Sequence, residues 1–180
     1  MKISKVNSVY IRPTGNVKKV TAAIAERAAK VLDVPLASVD FTLPETRGGV
    51  RNYAPDELVI SGTPVYAGRV PNKFLPFVQE LFKADGALAV PVVCFGNRNF
   101  DNALIELRNQ LELNGFHTIA GAGVVTEHVF SDQLAPGRPD GGDMEQLKKF
   151  AEEIAAKTSS IDADNIPAPI TVRGDDPVGP

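Results

Sequence analysis

The chain has 180 residues, 43% of them hydrophobic and 23% charged, with a formal net charge of −3. Those values describe an ordinary globular domain, able to bury about 70% of its unfolded surface without staples, and they leave no basic excess for a nucleic-acid binder. The single cysteine, Cys94, excludes an intrachain disulfide and a cysteine-held iron–sulfur cluster within these residues, and two histidines argue against a His/Cys metal site.

Residues 5–11 read as a strand rich in Val, Tyr and Ile. Val17, Val20, Ile24, Ala28 and Val31 then recur at helical spacing, and Leu32-Asp33-Val34-Pro35 ends that helix. A second short strand is predicted over 38–43, a loop with Gly48-Gly49 over 44–55, and a third strand over 58–62. Phe74, Phe77, Val78 and Leu81 mark the next helix, which Pro76 forces either to start late or to kink. The run A-L-A-V-P-V-V-C-F at 87–95 suits a strand covered on both faces of a parallel sheet, with a bulge to accommodate Pro91. Leu104, Leu107 and Leu111 mark a helix stopped at Asn114-Gly115. A fifth strand follows over 118–126. After a Gly/Pro-rich loop, Asp143 with Gln146 starts a helix striped by Met144, Leu147, Ala151 and Ile154.

This β-α-β-β-α-β-α-β-α order, with a missing or irregular helix between the second and third strands, predicts an α/β fold. The sheet is doubly wound and parallel, with helices on both faces. The domain is expected to span 1–157. Residues 158–180, rich in Pro and Asp, read as an extended C-terminal tail that lies on the domain or leads elsewhere. No apolar run reaches the roughly 20 residues of a membrane span, and no signal-peptide apolar region precedes the first strand. With one cysteine this fits a reducing compartment, and a cytoplasmic location is expected.

In open α/β sheets, ligands bind beyond the carboxyl ends of the strands, and three loops leave those ends here. The first holds Arg12, Pro13, Thr14, Gly15, Asn16 and Val17. Thr14 offers a hydroxyl, Gly15 a close backbone approach, Asn16 a helix cap and Arg12 a cation, while N–H groups at a helix start favour a phosphate. The loop is neither a Walker A motif nor G-x-G-x-x-G, and its bland reading is a simple N-cap turn. The second loop holds Thr63, Pro64, Val65, Tyr66, Ala67, Gly68 and Arg69, otherwise a surface turn with a packed Tyr. The third holds Gly96, Asn97, Arg98, Asn99, Phe100 and Asp101, where Asn99 or Asp101 alternatively caps the next helix. Two of three loops on one edge carry an aromatic ring, which suggests a slot for a flat ring tethered to the phosphate.

The T-G-N turn after the first strand resembles the flavodoxin phosphate loop, S/T-x-T-G-N-T. P-V-Y-A-G-R-V-P at 64–71 and F-G-N-R-N-F-D-N-A at 95–103 resemble the flavodoxin-like domain fused to a ferredoxin in many anaerobe flavoproteins. E-H-V-F-S at 127–131 and G-R-P-D at 137–140 look like the same group, so the resemblance covers about residues 1–157. It implies a flavodoxin-like five-stranded sheet of order 2-1-3-4-5 and electron transfer. It implies FMN, with phosphate on 12–17 and the isoalloxazine between 63–69 and 96–101. Arg12 and Val17 depart from the family, which has hydroxyls there. Arg12 either replaces them with a charge-assisted pair or points away and leaves FMN weakly held. The fused relatives carry cysteine clusters after the flavin domain; this chain has none, so a separate ferredoxin or reductase is the expected redox partner.

FMN would carry the redox chemistry and the protein would tune it. Arg69 and Arg98, opposed by Asp101, are expected to raise the reduction potential unless they serve surface salt bridges. There is no nucleophile triad, and Cys94 reads as a core residue. His128 is either a proton donor near the third loop or a packed residue, and His117 is structural. Lys18 and Lys19 either add a favourable field at the phosphate or are simply solvated. Three readings follow: an FMN electron carrier, an NAD(P)H-dependent FMN or quinone reductase on the same fold, or a binding module with weak or no FMN.

Overall fold

Strand β1 (Lys5–Tyr10) passes through a short turn into helix α1 (Gly15–Leu32), in a computed structural model that describes residues 1–96, 98–128 and 131–176. The predicted stripe closes on the core at Val17, Val20, Ile24 and Ala28, joined by Ala25, but its last member, Val31, is 48% exposed. The helix ends where Asp33 takes a left-handed φ of 54° and returns its N–H to the carbonyls of Ala29 and Lys30, and Pro35 bars continuation. Strand β2 is Leu36–Asp40 rather than 38–43, because the parallel register Val6↔Leu36 to Tyr10↔Asp40 draws it level with β1.

The stretch 44–55 is not only loop. Pro44–Arg47 turns as a 3-10 helix, and β3 (Arg51–Tyr53) pairs with β5 (Phe82–Ala84) in a separate two-stranded parallel sheet. Aromatic packing holds it on: ring centroids of Phe41 and Phe82 lie 3.8 Å apart, and those of Tyr53 and Phe116 5.7 Å. Between these strands come β4 (Glu57–Pro64) and α2 (Leu75–Leu81), which starts late, with Pro76 in its first turn where no N–H is needed.

The remaining elements are β6 (Leu88–Phe95), α3 (Ala103–Leu113), β7 (His117–Thr118), β8 (Ala122–Val125) and α4 (Gly141–Ser160). The main sheet runs β2-β1-β4-β6-β7, with β8 continuing beside β6, and every pair is parallel. This is the expected order 2-1-3-4-5 when β4, β6 and β7 with β8 count as the third, fourth and fifth strands. Helices α1 and α4 pack on one face, and α2 and α3 on the other.

The fifth strand, predicted unbroken over 118–126, is split for a reason. Leu88 and Ala89 pair with His117 and Thr118, but Val92 pairs with Ala122. The register slips by one residue opposite Pro91, which has no N–H for the ladder, so the bulge sits in its neighbour. Helix α4 begins a turn before Asp143. Asp140 is its N-cap, and Asp143 completes a capping box, each backbone N–H donating to the other's carboxylate at 2.9 Å. The helix also runs past 157 to Ser160.

The segment after α4 returns along the domain. Ile170 and Val172 lie against Gly121, the Arg173 guanidinium lies 5.7 Å from the Phe100 ring centroid, and the Asp175 N–H donates to Asn102 Oδ1 at 3.0 Å. Among the described residues no helix is long and apolar enough to cross a membrane.

Candidate functional site

The strand order sets the carboxyl ends of β1, β4, β6 and β8 side by side, and a cleft opens there. The first loop contributes Thr14, Asn16 and Val17, and the second Pro64, Val65 and Tyr66; the end of β6 contributes Cys94, Phe95 and Gly96, and the segment after β8 Thr126, Glu127 and His128. Its volume is about 100 Å³, well below the roughly 300–1,000 Å³ of sites that engulf a small molecule. It has room for the edge of a small molecule rather than for a whole one.

At one end of the slot stands the start of α1. Thr14 is the N-cap, and its side chain makes no capping hydrogen bond; no acidic residue stands in the first turn. The first-turn N–H groups cannot bond within a helix, so that end presents unneutralised donors. Asn16, expected as the cap, lies inside the first turn instead and lines the cleft. Pro13 and Gly15 are exposed.

Arg12 is directed elsewhere. Its Nε donates to Asp40 Oδ2 at 2.5 Å, and its backbone N–H donates to Thr42 Oγ1 at 2.7 Å. Burial raises the Asp40 pKa, but hydrogen bonds from Thr42 and Arg12 outweigh it and hold the carboxyl below its ordinary value. Of the two positions left open for Arg12, the structure has the one that points away. Lys19 is engaged too, its Nζ donating to the Pro139 carbonyl at 3.2 Å.

The second loop is a tight hairpin. Tyr66 and Arg69 exchange backbone hydrogen bonds of 3.0 Å, with Ala67 at φ 50° and Gly68 at φ 74°, the pattern of a type I′ turn. Tyr66 stands at the rim, 41% exposed, and partial burial raises its phenol pKa. Thr63 is buried, with its hydroxyl donating to the Pro64 carbonyl at 3.2 Å, and the Val65 N–H bonds the Cys94 carbonyl at 3.0 Å. Arg69 turns back to α3, where Glu106 Oε1 accepts from its Nη2 at 2.6 Å. The expected cationic field at this loop is therefore largely cancelled locally.

The third loop divides. Gly96 lines the cleft so close to His128 that a Cβ there would stand 2.5 Å from the imidazole Cδ2. Asn97 lies outside the described residues, Arg98 is exposed, and Asn99 Oδ1 accepts the Asp101 N–H at 3.2 Å. Asp101 packs its carboxylate against Gly68, and the Asn102 N–H donates to the Gly68 carbonyl at 2.9 Å, which stitches the second and third loops together. Phe100 does not face the slot. It packs edge-on to Phe95 at 5.3 Å, against Gly123 and under Arg173, and Phe95 takes its place at the cleft.

Sequence reasoning did not assign Cys94, Phe95, Thr126 or Glu127 to the site. Their signal was available: each ends or follows a parallel strand at its carboxyl edge. His128 does approach the third loop. Cys94 is 3% exposed, with burial pushing its thiol pKa up to about 12. Among the described residues no group of His, Cys, Asp and Glu is placed to hold a metal ion.

No family model matches the sequence, and comparison with curated proteins finds no match. Solved structures do match. The Streptococcus pneumonia TIGR4 flavodoxin is 17% identical, with 86% of this chain and 99% of that one covered at a TM-score of 0.61. Oxidised flavodoxin 2 from Bacillus cereus is 18% identical over 86% and 99%, at 0.59. The apo form of an NADH:FMN oxidoreductase is 15% identical over 91% and 94%, at 0.63. The parallel order β2-β1-β4-β6-β7 and these likenesses agree: the chain has the flavodoxin-like fold.

Proposed function

We propose that the cleft binds FMN and that the chain serves as an electron-transfer protein. One observation carries this reading: loops from separate strands converge on a slot lined by an uncapped helix start and by Tyr66, Val65 and Phe95. The donor set fits the ligand. A phosphate monoester suits the first-turn N–H groups of α1 with the Thr14 hydroxyl and the Asn16 amide. A flat ring suits Tyr66, Phe95 and the Pro64–Val65 backbone. At about 100 Å³ the slot leaves a large part of such a ring open to solvent, which suits exchange of electrons with a separate protein such as a ferredoxin or reductase.

FMN, when bound, supplies one- and two-electron redox chemistry. The chain's part is to fix the phosphate on residues 14–17, orient the ring along Tyr66 and set the local charge. The pairing of Arg69 with Glu106 removes one cation from the ring's surroundings, while Arg98 remains exposed. The test is titration of the apoprotein with FMN, read by quenching of flavin fluorescence. Stoichiometric quenching is expected; no uptake overturns the reading.

A reductase is the second reading, supported by the likeness to the NADH:FMN oxidoreductase structure. Steady NAD(P)H oxidation with a quinone acceptor separates it from a carrier.

A further inference from the structure

We infer that Asp40 sets the affinity of the slot for phosphate by holding Arg12 out of it; this rests on the FMN reading above. Arg12 stands at the first loop, just before the N-cap Thr14 and the uncapped helix start. Yet it does not line the cleft. Its Nε is spent on Asp40 Oδ2 at 2.5 Å.

The latch is built at both ends. Asp40 Oδ1 accepts the Thr42 N–H at 2.9 Å, and Thr42 Oγ1 accepts the Arg12 N–H at 2.7 Å. Backbone and side chain of Arg12 are thus tied to the same short segment at the end of β2, Asp40 to Thr42. The ion pair is only partly covered, with side chains 39% and 14% exposed for Arg12 and Asp40. A pair of that kind is weak. A phosphate dianion at the start of α1 offers the same guanidinium two charges and a bidentate geometry, so carboxylate and phosphate compete for one cation. With Asp40 in place the phosphate rests mainly on the backbone N–H groups, the Thr14 hydroxyl and the Asn16 amide. At Arg12, one of the two positions where the flavodoxin loop has a hydroxyl, Asp40 draws away the group that could replace it; Val17, the other, offers no side-chain donor. Asp40 acts through Arg12 and touches no ligand itself, so it is a positioning residue.

The experiment compares FMN with riboflavin, which lacks the phosphate, on wild type, Asp40→Asn and Arg12→Ala/Asp40→Asn. Asn keeps an oxygen for the Thr42 N–H and removes the charge. Expected is FMN binding tightened about two- to fivefold in Asp40→Asn, with riboflavin affinity unchanged, the gain shrinking at high salt and disappearing in the double variant. FMN binding that is unchanged or weaker in a folded Asp40→Asn variant, or a gain that survives the loss of Arg12, overturns the inference while the flavin reading stands. Failure of every variant to bind either flavin overturns both. Thermal melts of each variant establish that the proteins compared are folded.

Discussion

Glu106 of α3 accepts a 2.6 Å hydrogen bond from Arg69 Nη2, and its second carboxylate oxygen takes the Val70 N–H at 2.8 Å. The second loop is thereby fastened to a helix rather than left to its own turn. Glu106 is only 8% exposed, so truncation leaves a buried N–H without its acceptor. Glu106→Ala is expected to cost about 1–3 kcal/mol of folding stability, measured by urea unfolding. Glu106→Gln keeps an oxygen at Val70 and is expected to cost clearly less. Equal losses in the two variants would place the effect in the carboxylate charge that pairs with Arg69 rather than in the Val70 hydrogen bond.

The turn that Glu106 fastens is strained at one residue. Ala67 has φ 50°, a left-handed conformation that disfavours any side chain with a plain Cβ. Type I′ turns prefer Asn-Gly at their centre. Ala67→Asn is expected to raise stability by about 0.5–1 kcal/mol, seen as a higher midpoint at unchanged urea slope. Gly68→Ala is expected to do the opposite, because a Cβ there would lie 2.5 Å from Asp101 Oδ2 at φ 74°.

The elements that were legible in the sequence are those whose signal is local. The stripe from Val17 to Ala28 fixed α1, and the apolar run through Cys94 fixed the central strand. What escaped depends on residues far apart in the chain. Arg12 is separated by 28 positions from Asp40, and Arg69 by 37 from Glu106; no periodicity shows that either cation is already engaged. Phe100 looked like the ring partner because it sits in a loop, but Gly123 offers it a packing site and Phe95 is left at the slot. The small β3–β5 sheet was invisible because strands of three residues carry no alternation to detect. The bulge opposite Pro91 was anticipated, but its place in the neighbouring strand follows from the pairing alone.

The cap of α4 makes stability pH-dependent. The Arg138 guanidinium hydrogen-bonds Asp143 and, with the Asp140 N–H, lowers its pKa from the usual 3.8 to about 2. A carboxyl held below its unfolded value stabilises the fold fully above that value, and the contribution disappears as pH falls through the folded one. The window is therefore from about pH 4 down to pH 2. The pair is partly open to solvent, so the effect is modest. Asp143→Asn is expected to melt at a lower temperature than wild type near neutral pH, with the gap closing as pH falls to about 2. Melting curves from pH 7 to 2 read this directly. A gap that stays constant would mean that charge at Asp143 contributes nothing.

Cys94 tests how closed the floor of the slot is. It belongs both to the main core and to the cleft lining, two places with opposite consequences for a thiol. Burial decides between them. At 3% exposure, with its thiol pKa pushed up to about 12, the side chain carries almost no thiolate near neutral pH, and the thiolate is the reactive form. Ellman's reagent at pH 8 is expected to modify the folded protein at least about a hundredfold more slowly than the urea-unfolded chain. Fast modification of the folded protein would mean that the floor opens between Cys94 and Val65. Added FMN is then expected to slow it, since the ligand would cover the slot that Cys94 lines. Slow modification with and without FMN is the outcome this geometry calls for, because a floor already sealed by packing gains nothing from a ligand above it.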